Sequence, residues 1–292
     1  MSDRLDIIKT CKLFIGGKSP RSESGRTIPL SDSGGRVLAR IAHASRKDAR
    51  DAVDAASAAL GAWRDSTAYL RGQVLYRWSE MLQSRRGELV ETLQATTSMR
   101  VAAARKEVDA SIDRVVTMAG WCDKLDQLLG CRNPVAGPYH NHTLARARGV
   151  VAVFAPSSPA LLGLVTLTAA ALVPGNTLVV SVPTEAALGA VLLSEMLAVS
   201  DVPPGAVNIL TGPREELLEP LGGHGAVHLV LGSGLAKGER TTLRHAAADS
   251  ILRPVICLDL DEAGFHDDAQ AASPWLLEGL VDFKTIWHPA AI

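Results

Sequence analysis

Residues Gly149 to Glu185 read GVVAVFAPSSPALLGLVTLTAAALVPGNTLVVSVPTE. A β-branched apolar run, Val150–Ala155, stops at Pro156-Ser157-Ser158-Pro159. An apolar helical stretch, Ala160–Leu172, follows and ends at the turn Pro174-Gly175-Asn176. A second β-branched run covers Thr177–Val182. Strand, turn, helix, turn and strand make one βαβ unit. Neither strand alternates apolar with polar, so both are expected to be buried on two faces, as in a parallel sheet covered by helices.

The same alternation of elements continues downstream. Strands are predicted over Val207–Leu210, Val227–Leu231 and Val255–Leu260, and helices over Ala186–Ser200, Arg214–Leu221 and Ala236–Ala247. The expected fold class is α/β, a doubly wound parallel Rossmann-like sheet. Ligands of such sheets bind outside the carboxyl ends of the strands, which is where chemistry is sought.

Upstream, Gly16-Gly17 is a hairpin signal in a Gly/Ser/Pro-rich stretch. Ser45 reads as the N-cap of a helix with Val53, Ala56, Leu60 and Trp63 on one face. A second helix carries Leu70, Val74, Trp78, Met81 and Leu82, and a third carries Val108, Ile112, Val115, Ala119 and Cys122. At the other end, Asp261–Pro274 is polar and turn-like. In the following run Val281, Phe283, Thr285 and Trp287 share one face, with Asp282, Lys284, Ile286 and His288 on the other. That alternation predicts a half-buried strand. With no strand next to it in sequence, it must join a distant sheet or another chain.

Composition narrows the function classes. Apolar residues make up 47% and charged residues 21% of 292 residues, as in ordinary globular proteins. A net charge of -1 points to neither nucleic acid nor an anionic membrane surface. The first residues are too charged for a secretory signal, and the most apolar window, Ala160–Val173, is too short to span a bilayer. A cytoplasmic protein is expected. Cys11, Cys122, Cys131 and Cys257 match no zinc or CxxC spacing and read as buried small apolar residues. His140 and His142 have the i,i+2 spacing of a strand chelate, but an exposed polar hairpin is the plainer reading and no metal is expected.

Taken in order, the motifs resemble the aldehyde dehydrogenase superfamily. LFIGGK (Leu13–Lys18) is similar to its N-terminal hairpin, and Ser45–Ser98, with Trp63-Arg64, to its paired helices. RARGVVAVFAPSSP (Arg146–Pro159) and ALVPGNTLVVSVPTEAAL (Ala171–Leu188) resemble the entrance to its cofactor domain. VPPGAVNILTG (Val202–Gly212), LVLGSG (Leu229–Gly234) and GLVDFKTIW (Gly279–Trp287) resemble its next strand, its cofactor turn and its C-terminal oligomerisation strand. The resemblance implies four parts: 1–132, N-terminal hairpin and helices; 133–148, an arm hairpin; 149–262, the Rossmann-like part; and 263–292, linker and oligomerisation strand.

The departures bear on function. Ser157 and Ser158 stand where the family has Trp-Asn, whose Asn donates to the reacting oxyanion. Loss of such a donor costs about 100- to 1000-fold in turnover. Val182-Pro183-Thr184-Glu185 replaces Lys-Pro-Ser-Glu, so the ribose-binding Lys is gone and Glu185 is kept. Gly232 and Ser233 match the cofactor turn, but the spacing to Gly238 is longer than the family's. Asp259 stands near the place of the family's Glu base, and no cysteine follows Cys257. The catalytic domain thus reads as an internal gap. The degenerate cofactor set is Ser158, Val182, Glu185, Gly232 and Ser233, and no residue is assigned a catalytic role. For Glu185 a helix N-terminal carboxylate, and for Gly232 a plain turn, are the structural alternatives.

The resulting expectation is a pseudoenzyme: a structural or regulatory subunit joining an active aldehyde dehydrogenase paralogue, itself, or both. Contact would run through the arm hairpin and through Val281, Phe283, Thr285 and Trp287. Two alternatives stand beside it, an NAD(P)-sensing module and an oxidoreductase of aldehydes with a partner-supplied site. No cofactor is expected, with weak NAD(P) binding left open.

Overall fold

The computed structural model describes residues 7–248 and 254–290. Strands β1 (Lys9–Cys11), β2 (Thr27–Ser31) and β3 (Val37–Ala42) form a small sheet in the order β1-β3-β2. Between β1 and β2, Ile15 and Lys18 exchange both backbone hydrogen bonds across Gly16-Gly17, the expected hairpin turn. Four helices follow: α1 (Arg46–Arg64), α2 (Ala68–Ser84), α3 (Arg86–Thr97) and α4 (Val101–Trp121). Ser45 caps α1 in a reciprocal capping box with Asp48. Trp63, Trp78 and Val115 are fully buried as predicted, but Leu70 is 50% exposed, since the true inward stripe of α2 is Val74, Leu75, Trp78 and Leu82. Helix α3 has no counterpart in the sequence reading, because its apolar periodicity runs on from α2 with only Arg85 between them.

A short helix α5 (Leu125–Leu129) leads to the arm, strands β4 (Cys131–Arg132) and β5 (Tyr139–Ala147). Then the sheet is wound: β6 (Val150–Phe154), α6 (Ala160–Leu172), β7 (Thr177–Val182), α7 (Ala187–Leu197), β8 (Val207–Thr211), α8 (Glu215–Gly222), β9 (Leu229–Ser233), α9 (Lys237–Ala247) and β10 (Val255–Leu258). All five strands are parallel, in the order β10-β9-β6-β7-β8. The doubly wound α/β class is as expected. Every residue of α6 is buried, as its almost wholly apolar sequence requires. Asn176 ties the turn together, accepting from Gly149 N–H and donating to the carbonyls of Ala171 and Leu280.

Two predictions are corrected. Strand β9 starts and ends two residues later than expected, so Gly232 and Ser233 lie inside it rather than in a turn. Their pairing with Cys257 and Leu258 draws them into the ladder. The polar stretch after β10 is not a loose connector. It forms three short helices, α10 (Glu262–His266), α11 (Asp268–Ala271) and α12 (Pro274–Glu278), before the final strand β11 (Val281–Pro289).

Strand β11 finds its partner within the chain. It pairs antiparallel with β5 over its whole length, from Val281↔Ala147 to Pro289↔Tyr139, giving a sheet of order β11-β5-β4. The expectation of a half-buried strand is also corrected. Only Val281 is buried, while Phe283, Ile286 and Trp287 are 47%, 49% and 58% exposed. Past its root the arm is exposed, and none of the described residues covers it. No helix among the described residues is long and apolar enough to cross a membrane.

Candidate functional site

In this sheet β7 and β8 extend to one side of β6, and β9 and β10 to the other. The strand order therefore reverses between β6 and β9, and the crevice beyond their carboxyl ends is the place where doubly wound folds bind ligands. A cleft of about 540 Å³ opens there, with Ser157, Glu185, Arg214, Gly234, Ala236 and Glu239 in its lining.

Its centre is Arg214, on the turn entering α8. The side chain is only 9% exposed. Nη2 donates to the Ala155 carbonyl at 3.0 Å and lies 3.5 Å from Ser157 Oγ, while Nη1 donates to the Gly234 carbonyl at 3.3 Å. One guanidinium thus bridges the chain leaving β6 and the chain leaving β9. Its Nε lies 3.7 Å from Glu239 Oε1. The other oxygen of Glu239 accepts from Ala236 N–H at 2.7 Å, so this carboxylate caps the start of α9. A Cβ at Gly234, which has φ +64°, would lie 3.2 Å from Pro156 Cβ, so the glycine serves a contact within the protein.

These features do not match what a dinucleotide's phosphates need. An anion is bound at a helix N-terminus by free backbone N–H groups and a positive field. Here the α9 terminus holds a carboxylate of the chain itself. Glu185, Glu215 and Glu239 face the cleft against the single guanidinium of Arg214.

The sequence-derived set is scattered. Glu185 stands exposed on the rim, in a 3-10 turn between β7 and α7. Val182 is wholly buried in β7 and pairs with Thr211. Gly232 is buried in β9, and Ser233 turns away from the cleft toward the Leu258 carbonyl at 3.2 Å. Ser158 lies outside the lining, its Oγ 3.5 Å from Glu262 Oε2. Sequence reasoning missed Arg214 and Glu239. The one local signal was a Glu three residues after Ala236, a capping-box spacing without the usual Ser or Thr.

Neither Asp259 nor a cysteine is drawn to the crevice. Asp259 is solvent-exposed and hydrogen-bonded to Arg240, which holds its carboxyl below the usual carboxylate range. The expectation that all four cysteines are buried holds for Cys11 and Cys122 but not for Cys257, only partly buried in β10, or for Cys131, exposed on the short arm strand β4. Burial pushes the Cys122 thiol up to about 12 and raises that of Cys11. None of these cysteines lines the cleft.

A second polar cluster lies behind it on α4. Pro159 gives α6 no side-chain cap, and Glu107 supplies one by accepting from Leu161 N–H at 2.7 Å and Leu162 N–H at 3.2 Å. Burial raises the Glu107 pKa, and the two amide donors only partly offset this. Its folded value therefore lies above the unfolded one, and the native state binds more protons in that window. Stability should fall as pH rises from the ordinary carboxylate value through the folded pKa. Replacing Glu107→Gln should remove this contribution, so wild type should gain on the variant as the medium is acidified. Urea midpoints measured across mild acid test this, and a pH-independent difference would count against it.

The arm carries the remaining candidates. The Thr143 and Thr285 hydroxyls lie 3.1 Å apart, and the rings of Tyr139 and Trp287 meet edge-on at 5.8 Å. His140 and His142 stack at 6.3 Å, with His288 opposite His140. Among the described residues no group of three His, Cys, Asp or Glu side chains is placed to hold a metal ion.

Comparison with known proteins is consistent with this architecture. Residues 21–256 match the aldehyde dehydrogenase family. The chain is 30% identical over 243 residues to the D-glyceraldehyde dehydrogenase (NADP(+)) of Thermoplasma acidophilum, covering 81% of this chain and 48% of the relative. It is also 30% identical over 257 residues to the cytosolic 10-formyltetrahydrofolate dehydrogenase of Mus musculus, covering 85% of this chain and 28% of that protein. It thus spans about half the length, or less, of these relatives. In fold it is similar to the NAD-dependent aldehyde dehydrogenase of Sinorhizobium meliloti, with a TM-score of 0.79 at 24% identity over 88% of this chain and 51% of that one. An aldehyde dehydrogenase of Bacillus cereus superposes with a TM-score of 0.80 at 23% identity over 85% and 50% of the two chains. A sheet wound in this order, the N-terminal helices and the family match over most of the chain lead to one conclusion: this protein belongs to the aldehyde dehydrogenase family.

Proposed function

We propose that the chain is a non-catalytic family member that serves as a structural or regulatory subunit, assembling with an active aldehyde dehydrogenase paralogue, with copies of itself, or with both. The observation that carries this reading is the uncovered arm. Strand β11 is an edge strand with Phe283, Ile286 and Trp287 open to solvent, next to an exposed Tyr139. A long edge with exposed aromatics invites pairing with another chain, and soluble proteins seldom leave one bare. The crevice adds support, because no thiol stands in its lining beside the carboxylates that face Arg214. Acyl transfer through a thioester needs an activated nucleophile beside a base.

The test is to purify the protein from its native source and weigh the assembly. The expected result is a complex of defined stoichiometry containing a full-length aldehyde dehydrogenase or several copies of this chain. A monomer with no companion would overturn the reading. So would hydride transfer from an aldehyde to NAD(P) by the purified chain alone.

A further inference from the structure

We infer that Arg214 and Glu239 form a built-in occupant of the dinucleotide crevice, and that this pair excludes NAD(P) from a fold whose relatives include NAD- and NADP-dependent enzymes. Three independent features support it. First, the guanidinium takes the Ala155 and Gly234 carbonyls, one on each side of the point where the strand order reverses. A ligand entering there meets a floor whose guanidinium is 9% exposed and already hydrogen-bonded, so its donors are not free for phosphate. Second, the Glu239 carboxylate occupies Ala236 N–H at the start of α9, an eleven-residue helix, and stands where a phosphate would take that donor. Third, the glycine that would let a pyrophosphate approach the backbone is used up internally. The missing Cβ of Gly234 makes room for Pro156.

The two side chains support each other. Arg214 Nε lies near Glu239 Oε1, so the carboxylate that blocks the helix end also neutralises the guanidinium that fills the floor. An incoming phosphate therefore meets a satisfied donor set and three carboxylates, Glu185, Glu215 and Glu239. Removing the pair should restore a free amide at α9 and an open floor. This inference concerns the crevice only, and the proposed assembly role does not depend on it.

The experiment titrates the full-length chain with NAD⁺, NADP⁺ and inorganic pyrophosphate by calorimetry. Melting temperature with and without each probe is the second readout. Wild type is expected to show no saturable binding. The double variant Arg214→Ala/Glu239→Ala should bind pyrophosphate or a dinucleotide at least tenfold more tightly than wild type and melt higher in its presence. Should the double variant fail to fold, Glu239→Ala alone is measured. It leaves Arg214 in place as an unneutralised cation beside a freed amide, so it should gain pyrophosphate affinity. Micromolar NAD(P) binding by wild type overturns the inference. A folded variant that gains affinity for none of the three probes overturns it equally. In either case light scattering of the wild-type assembly reports on the subunit role separately.

Discussion

A chain ending at Val281 should lose its assembly while keeping its sheet. The cut is placed there because Leu280 and Val281 are fully buried and Asn176 donates to the Leu280 carbonyl. Ending the chain before them would damage the body and confuse the outcome. Beyond Val281 no described residue of β11 is buried, so the segment adds little to the core. What it does supply is a free sheet edge and the aromatic pair Phe283 and Trp287. Aromatic anchors at protein interfaces commonly cost about 2 kcal/mol or more each when truncated. A finer variant, Phe283→Ala with Trp287→Ala, keeps the β5–β11 ladder and removes the anchors. If the losses add, about 4 kcal/mol weakens association close to a thousandfold. Light scattering of both variants decides the matter. An unchanged assembly mass would mean that the contact lies elsewhere, and the subunit reading would lose its main support.

How far the sequence reveals this molecule depends on whether an element's surroundings are local. Ala160–Leu172 and Thr177–Val182 appear in the structure with the predicted bounds. Both are fully buried and flanked by Pro or Gly turns, so composition and punctuation suffice. Gly232 and Ser233 read as a turn from their local chemistry, while their pairing is set by β10, more than twenty residues downstream. The sequence marks β11 as a strand but not as an exposed one. Alternation tells which residues share a face, not whether anything covers it. The crevice was the least legible part. Arg214 and Glu239 lie twenty-five positions apart, and each looks like an ordinary helix-end charge. Only the crossover from α8 to α9 around the sheet brings them together, and no periodicity or motif encodes that meeting.

Replacing Phe265→Ala should destabilise the whole chain by about 3–5 kcal/mol, the usual cost of emptying an aromatic core site. Phe265 lies in the stretch that joins the sheet to the arm strand, where the sequence suggests a polar connector. It is fully buried and packs with Leu162 and Ala271 in a cluster of its own. The backbone around it is held just as firmly. Arg114, with a side chain only 1% exposed, donates to the Phe265 carbonyl at 2.8 Å and the Ala271 carbonyl at 3.1 Å. It also reaches Thr166 Oγ1 at 2.9 Å. Its ion pair with Asp268 adds less, because that carboxylate is 77% exposed and screened by water. Burial lowers the Arg114 pKa, yet a guanidinium stays charged at neutral pH, so these bonds are charge-assisted. Helices α4 and α6 and the connector are therefore one packed body. A connector that merely spanned a gap would tolerate the substitution within about 0.5 kcal/mol. The denaturant midpoint at unchanged slope separates the two outcomes. A loss below 1 kcal/mol would show that the connector is not packed on α6, and the direct joining of the parallel sheet to the arm would lose its structural basis.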